Sequence, residues 1–286
     1  MPSLVLTALA SALPLSLGAA SEDSGVSPSA YHLHEIFGLP ITNSIVTSWV
    51  FSLLIIVVFR LWVGKPTLIP GRGQAIVENL VDGVRGVIAP VVGKRMLKVT
   101  FPLLIGFFTF ILIHNWSGLL PGVGTFGFWE GQGEQRHLTY FFRPANADLN
   151  MTLALALASF VAWLYYVFRY AGAKALLLDL FGNKAEKSEV PGAIFLFLFI
   201  IFFGVGLIEL ISIAFRPVSL SLRLFGNVFG GENLLTSMTG LISWIVPVPF
   251  YFLEILIGLV QALVFTILSA VYIGLICNHG EGESAH

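Results

Sequence analysis

The chain alternates between long apolar stretches and shorter polar segments, and this pattern predicts a series of membrane-spanning helices. About 20 helical residues are needed to cross the roughly 30 Å hydrocarbon layer of a bilayer. Apolar stretches of this length or longer lie at 44–63, 99–120, 149–168, 191–240 and 244–277. We therefore predict an all-α polytopic membrane protein with about five membrane-embedded helices in a single membrane domain, residues 44–286.

The last two apolar stretches are longer than a perpendicular crossing requires. Residues 191–240 would form a helix of about 75 Å at a rise of about 1.5 Å per residue. Beyond its first residue the only proline is Pro217, and no polar turn divides the stretch. We predict one strongly tilted helix, which Pro217 can kink, with a tight reversal as the alternative. Residues 244–277 are also overlong, so the two helices are expected to form an antiparallel hairpin.

Residues 71–94, between the first two stretches, have the pattern of an amphipathic helix. Apolar residues recur every four positions, and charged residues fall on the opposite side of the helical wheel: Ile76, Leu80, Val84 and Ile88 against Glu78, Asp82 and Arg85. The pattern predicts a helix that lies on the membrane surface. A partly ordered loop is the alternative, because Gly83, Gly86 and Pro90 weaken a helix.

The composition supports a membrane protein and excludes several other classes. Of the 286 residues, 56% are hydrophobic and 11% are charged, whereas soluble domains have about 25% charged residues. The formal net charge of −1 gives no basic excess for nucleic-acid binding. Cys277 is the only cysteine, which excludes an intramolecular disulfide and a cysteine-rich metal site. We predict contact with membrane lipid, and no metal, cofactor or nucleic-acid partner.

Basic residues indicate the orientation of the helices. The connection from Arg60 to Lys98 is rich in Lys and Arg and has only Glu78 and Asp82 as acidic residues, so the positive-inside rule places it in the cytoplasm. The loop 121–147, whose basic residues are Arg136 and Arg143, is then external, and 169–190 is cytoplasmic. We predict an integral protein of a bacterial inner membrane with its N-terminus outside and its C-terminus in the cytoplasm.

Residues 1–43 are predicted to form an export-like segment and an external approach to the first helix. The first 20 residues are apolar and end in small residues, as in a signal peptide. They lack an early Lys or Arg, and Pro14 interrupts the apolar run. These opposing features leave cleavage of the segment open.

Arg223 lies in the middle of the most apolar third of the chain. An arginine at the centre of a membrane helix costs about 2.5 to 3.5 kcal/mol on insertion scales, so a site of this kind is functional by default. At about 100° per residue, polar residues and one glycine fall within about 40° of it: Glu209, Ser212, Arg216, Ser219, Asn227 and Gly230. Glu232 lies on the opposite side of the helix. Because lipid satisfies neither charge nor hydrogen bond, the stripe is expected to face protein or water.

The following helix is expected to contribute to the same site. Glu254 and Gln261 are seven residues apart and therefore share a face. Gly226 and Gly230 are predicted to let another helix approach closely. A plainer interpretation is that the stripe only joins helices, through buried pairs such as Glu209 with Arg216.

Arg223 itself fits that plainer interpretation least. No acidic residue lies three or four positions from it along its own helix. The sequence therefore predicts a carboxylate on another chain.

Four segments resemble subunit a of F-type rotary ATP synthases. They are RPVSLSLRLFGNVFGGE from Arg216, YFLEILIGLVQALVFTILSAVYIGL from Tyr251, HNWSGLLPG from His114 and RPANADLNMTLALAL from Arg143. The likeness extends over roughly residues 30–280, and the SLRLFGN run around Arg223 is its most specific part.

This resemblance implies a non-catalytic membrane stator beside a rotating ring of c subunits, together with the peripheral stalk subunit b and the rest of the complex. Arg223 matches the essential arginine that faces the carboxylates of the ring. Glu232, Glu254, Gln261 and Asn227 match the proton path on the outer side, and Glu209, Ser212 and Ser219 match the cytoplasmic path. The coupling ion stays open between H⁺ and Na⁺, because the carboxylates of the ring contribute most of that choice.

Two positions depart from many relatives. In many relatives, one of the two positions matching Glu232 and Glu254 is histidine, whereas both are glutamate here. This suggests a pair of glutamates that share a proton, or an accompanying water chain. Gly118 also replaces an acidic residue found in some relatives three positions after the asparagine matching Asn115.

Two rival functions come from other classes of protein. A self-contained secondary transporter or ion channel would use Arg223 with Glu232 and Glu254 as its own site, but the sequence lacks the inverted repeats expected of such a protein. An intramembrane enzyme would need metal ligands, for which the HLHE run at His32 and the more distant His114 are the candidates. That run lacks the four-residue spacing of two histidines on a helix.

Overall fold

The computed structural model describes residues 30–36, 39–64, 66–120, 127–130, 137–140, 142–181, 192–241 and 247–277. The export-like segment lies outside the described residues, as does Arg136 of the predicted external loop.

Seven α-helices form the described part of the chain. They are α1 (Asn43–Val63), α2 (Arg72–Val92), α3 (Lys94–Ser117), α4 (Leu149–Tyr166), α5 (Ala173–Phe181), α6 (Gly192–Leu241) and α7 (Pro247–Cys277). A 3-10 turn, Ala145–Ala147, precedes α4, and a π turn, Val167–Ala171, continues it. Among the described residues, α1, α3, α4 with its π turn, α6 and α7 are long and apolar enough to cross a membrane, which confirms the predicted five embedded helices.

Two short antiparallel hairpins accompany the helices. Strand β1 (His32–Ile36) pairs with β2 (Leu39–Thr42), which leads directly into α1. Strand β3 (Gly127–Glu130) pairs with β4 (His137–Tyr140) in the connection between α3 and α4.

Side-chain caps define where two of the spanning helices begin. The Thr42 hydroxyl accepts a hydrogen bond from the Ile45 amide at the start of α1. The Asp148 carboxylate accepts one from the Asn150 amide, at 3.0 Å, at the start of α4. Both satisfy an amide that the helix leaves unpaired. At Gly93 the backbone has a φ of 82°, which lets α2 turn sharply into α3.

Helix α6 is continuous for 50 residues and includes Pro217. The tight reversal considered as an alternative is therefore wrong, and the single long helix is confirmed. Helix α7 runs antiparallel to it, because contacts pair Gly231 with Glu254, Asn227 with Gln261, and Arg216 with Tyr272 in opposite order along the two helices.

Helix α2 is ordered, so the loop alternative for 71–94 is wrong. Its buried residues Val84, Ile88 and Val92 pack on α3 and α7. Ile76, on the predicted apolar face, is 57% exposed within this chain, so its contact with the membrane surface stays a prediction. The first turn lies beside the end of α1, where Gly73 approaches the Trp62 backbone.

The core lies around α3 and α7. Phe107 of α3 meets Phe265 of α7 edge to face, with ring centroids 5.8 Å apart. Gly274 of α7 lies against the Val91 backbone of α2. This packing joins α2 and α3 to α7, and α7 in turn packs on α6.

Candidate functional site

Arg223 lies on a face of α6 that the rest of the chain does not cover. Its side chain is exposed, as are those of Ser212, Ser219 and Asn227 on the same stripe, whereas Glu209 is half-buried. The face of α6 that packs on the chain is about a quarter of a turn away and carries Leu220, Leu224 and Val228. Among the described residues, no carboxylate oxygen lies within 4.0 Å of the Arg223 side-chain nitrogens.

Asn227 joins this exposed face to α7. Its amide nitrogen donates a hydrogen bond to Oε1 of Gln261 at 2.8 Å. Gln261 is 4% exposed, and its own amide nitrogen has no hydrogen-bond partner among the described residues. A buried amide with spare donors can bind water or another polar group.

Glu254 lies directly against the backbone of α6 at Gly231, where a Cβ atom would meet its carboxyl group. The predicted role of Gly226 and Gly230 is wrong within this chain, because no described atom lies within 4 Å of a Cβ built at either glycine. Helical spacing identified a glycine-rich segment. The contact falls on Gly231 because the covered face of α6 is offset from the Arg223 stripe.

Glu232 lies beside Arg143, to which the sequence analysis gave no role in the site. Oε2 of Glu232 is 3.9 Å from Nε of Arg143, with side chains 27% and 5% exposed. The Arg143 amide donates to the Thr47 hydroxyl at 3.1 Å, and Nη2 donates to the Ala147 carbonyl at 3.4 Å. The available signal was its position as the first residue of the RPANAD run, which leads directly into α4.

Two asparagines connect the turn before α4 to α3 and α7. The Asn146 amide donates to Oδ1 of Asn115 at 2.7 Å, and the Asn115 amide donates to the Gly258 carbonyl at 3.0 Å. A Cβ atom at Gly118 would lie 2.6 Å from Cγ of Pro144. A side chain at position 118 would therefore collide with this turn.

Arg216 marks the opposite half of the α6–α7 contact. Its guanidinium lies 4.3 Å from the centroid of the Tyr272 ring and 5.6 Å from that of Trp163. Among the described residues, no salt bridge within 4.0 Å joins Arg216 to Glu209, the pair named in the plainer interpretation. The reason is that α4 and α7 place two aromatic faces over the cation.

The polar groups thus lie at two ends of one helical bundle. The end where α1 begins, called here the N-terminal end, holds Glu232, Glu254, Gln261 and Asn115 with their partners. The opposite end, called the α2 end, holds Arg216 and the start of α6. Carboxyl, amide and hydroxyl groups in this arrangement can exchange protons through hydrogen bonds and water. In the described part of the chain, no three His, Cys, Asp or Glu residues are grouped to hold a metal.

Comparison with known proteins identifies the family. The family model described as ATP synthase A chain matches residues 45–274. The chain is 30% identical over 244 residues to the Vibrio campbellii protein named ATP synthase subunit a 2, covering 84% of this chain and 89% of that one. It is 31% identical over 232 residues to ATP synthase subunit a of Gloeobacter violaceus, covering 81% and 82%. It is 31% identical over 242 residues to ATP synthase subunit a 2 of a Bradyrhizobium species, covering 85% and 92%. With most of its length matched in this way, the chain belongs to the ATP synthase A chain family.

Proposed function

We propose that this chain is the proton-translocating stator subunit of an ATP synthase and that it forms two half-channels against the c-ring, with Arg223 facing the ring carboxylates. The observation that carries the proposal is the position of Arg223, exposed on α6 with no carboxylate within 4.0 Å among the described residues. A cation on a membrane helix needs a counter-charge. A carboxylate on an adjacent subunit supplies it.

The guanidinium suits this role because it stays protonated under all working conditions. Opposite a ring carboxylate it favours the deprotonated form of that group. The carboxylate must then take up a proton before it can leave the arginine and enter lipid, which charge does not tolerate. Arg223 also opposes direct passage of a proton from one half-channel to the other.

The outer half-channel is formed by the polar groups of the N-terminal end. Asn227, four residues after Arg223, contacts Gln261, and Glu254 lies seven residues before Gln261 on the same face of α7. Glu232 lies on the other side of α6, beside Arg143. These side chains lead from the end of the bundle toward the Arg223 face.

The cytoplasmic half-channel follows the exposed stripe in the other direction. Ser219 is one turn from Arg223, Ser212 is about two turns further, and Glu209 lies about 21 Å from Arg223 along the helix axis. Ser212 and Ser219 are exposed, so the ring would form the second wall of this path. Each proton that crosses gains about 2.3 kcal/mol per 100 mV of membrane potential.

The partners follow from this arrangement. The c-ring occupies the Arg223 face, subunit b belongs to the same stator, and the remaining complex carries out the ATP chemistry. The subunit is an integral protein of a bacterial membrane. Its N-terminal end faces outward and its α2 end faces the cytoplasm, since the basic residues between α1 and α3 lie at the α2 end.

The test is Arg223→Ala in membranes that contain the whole complex, with ATP synthesis and ATP-driven proton pumping as readouts. We expect the rates of ATP synthesis and of proton pumping to fall by about 100-fold or more. Losses of this size occur when a fixed group that stabilises an opposing charge is removed. Because the Arg223 side chain is exposed in this chain, the variant should still assemble.

The matched control is Arg169→Ala, which removes another exposed arginine from the π turn at the α2 end. This variant should retain coupled activity. Coupled synthesis at the parental rate in Arg223→Ala would overturn the proposal. The rival transporter site is disfavoured because Arg223 and Glu232 lie on opposite sides of α6, where they cannot bind one substrate together.

A further inference from the structure

The part of α1 that is buried in the chain is almost entirely polar. Its buried residues are Asn43, Ser44, Thr47, Ser48 and Phe51, all in the first turns, whereas later positions such as Leu53 and Ile56 are exposed. Small hydroxyl and amide residues are common where membrane helices pack and hydrogen-bond to one another. The evidence for a site is therefore which polar atoms on this face lack a partner.

Two of these polar residues already have structural partners. Asn43 exchanges hydrogen bonds with Tyr31, just before β1. The Thr47 hydroxyl donates to the Asn43 carbonyl and accepts from the Arg143 amide. These two residues fix the start of α1 and the turn before α4.

Ser44 and His114 differ, because each is fully buried and each has an atom without a hydrogen-bond partner among the described residues. These atoms are the Ser44 hydroxyl and Nε2 of His114. His114 lies opposite this face of α1, with its ring 6.3 Å from that of Phe51. Ser44 and Ser48 are one helical turn apart on the face that His114 meets.

The tautomer of His114 follows from its other nitrogen. Nδ1 lies 2.8 Å from the Phe110 carbonyl oxygen, which can only accept, so Nδ1 carries the hydrogen. In the neutral ring, Nε2 then carries no hydrogen, and its lone pair can accept a hydrogen bond from a donor. The Ser48 backbone also lies beside the ring, but its carbonyl oxygen can only accept a hydrogen bond, whereas water can donate to Nε2 and to the Ser44 hydroxyl together.

We propose that Ser44, Ser48 and His114 line a water-binding site between α1 and α3, and that His114 relays protons from it into the outer half-channel. A hydronium ion gives its proton to Nε2, which leaves water and an imidazolium. The imidazolium then returns the proton from Nε2 to the next water. Nothing else is consumed, and the ring keeps its hydrogen bond to Phe110 throughout.

The site connects to the groups already described. Thr47, next to Ser48, contacts the Arg143 amide, and Arg143 lies 3.9 Å from Glu232. On α3, His114 is followed by Asn115, which contacts Asn146 and α7. Ser48 and His114 are thus each next in sequence to a residue that contacts Arg143 or Asn146. This inference rests on the proposed function for its direction of transport, but the hydration of the site does not.

The first test measures hydration without requiring activity. Ser48→Cys and Val50→Cys are made in a Cys277→Ala background, and the whole complex in vesicles is treated with silver ion. Thiols that remain free are then alkylated after denaturation and counted by mass spectrometry. Ser48 is buried at the proposed site and Val50, two residues further, is exposed on the outer face of α1.

We expect silver to protect the cysteine at position 48 and not the one at position 50. Equal reactivity at the two positions would overturn the water site. This outcome is independent of Arg223→Ala, so a failure of the proposed function and a failure of this inference can be told apart.

The second test measures passive proton conduction in vesicles stripped of the soluble head. His114→Leu removes the lone pair that accepts the proton, and we expect conduction to fall by about 100-fold or more, the range of general acid–base effects. His114→Gln keeps a hydrogen-bonding side chain but cannot relay a proton, so its proton conduction should also be slow. This second variant keeps the relay testable if the leucine variant fails to assemble. Parental conduction in His114→Gln would overturn the relay.

Discussion

The two glutamates of the site have different immediate neighbours. Glu232 lies beside the buried guanidinium of Arg143, whereas Glu254 lies against the backbone of Gly231. The charged neighbour of Glu232 in the structure is thus the Arg143 cation. The sequence had instead suggested a pair with Glu254. Glu254 can occupy this position because Gly231 has no side chain.

Gly231→Ala is therefore expected to displace Glu254 while the chain still folds. The new Cβ atom meets a carboxyl group at the end of a flexible side chain, which can move away. Alanine also favours a helix over glycine by about 1 kcal/mol. Passive proton conduction should fall by about tenfold to 100-fold, because a misplacement of about 1 Å can cost about 100-fold in rate.

Gly204→Ala is the control for this variant. Gly204 lies in the same helix, and no described atom lies within 4 Å of a Cβ built there. It should conduct as the parent does. Parental conduction in Gly231→Ala would mean that the contact between Glu254 and α6 has no part in proton movement.

Residue spacing was sufficient to find the Arg223 stripe, but it could not find the neighbours of its members. Periodicity places side chains on one side of a helix and does not say which element covers that side. The aromatic partners of Arg216 lie on α4 and α7, and Arg143 is held by Thr47, 96 residues away. Such contacts depend on how the helices assemble.

At the scale of elements, glycines set how closely the helices approach. Gly274 brings α7 against α2, where a Cβ atom would lie 2.6 Å from the Val91 carbonyl oxygen. Both partners at this contact are backbone, so neither can move away without shifting a whole helix. This contact attaches the amphipathic α2 to the bundle.

Gly274→Ala should therefore destabilise the subunit by about 1 to 3 kcal/mol, the usual cost of overpacking. A change of 1 kcal/mol lowers the melting temperature by about 2 to 4 °C in a chain of this size. The measurement is the temperature at which the subunit dissociates from the purified complex. Gly106→Ala in α3, where no described atom lies within 4 Å of the new Cβ, should melt as the parent does, and an equally stable Gly274→Ala would contradict the contact.

The elements themselves could be predicted from sequence more completely than their packing. Runs of apolar residues are long enough to identify each spanning helix, including the single helix through Pro217. The small hairpins and α5 were missed because their segments lack a long apolar run. The pattern of α2 gives its apolar face but does not reveal where α3 and α7 stop covering that face, which leaves Ile76 exposed within the chain.

At the scale of the whole molecule, charge is distributed unequally between the two ends of the bundle. The α2 end holds the basic residues Arg60, Arg72, Arg85, Lys94, Arg95, Lys98 and Arg169 at the ends of α1, α3 and α4 and along α2. The N-terminal end holds the β1–β2 hairpin and the turn before α4, with few basic residues. By the positive-inside rule, this distribution predicts that the α2 end faces the cytoplasm.

This orientation predicts opposite labelling of two exposed acidic positions. In a Cys277→Ala background, Asp82→Cys in α2 should react with a membrane-impermeant maleimide in inverted vesicles only. Glu35→Cys in β1 should react in right-side-out vesicles only. Both side chains are exposed in the structure, so access depends on the membrane side. The reverse labelling pattern would place the proposed path through Glu232 and Glu254 on the cytoplasmic side and exchange the two proposed half-channels. Reaction of both cysteines in one type of vesicle would place both ends of the bundle on one side of the membrane.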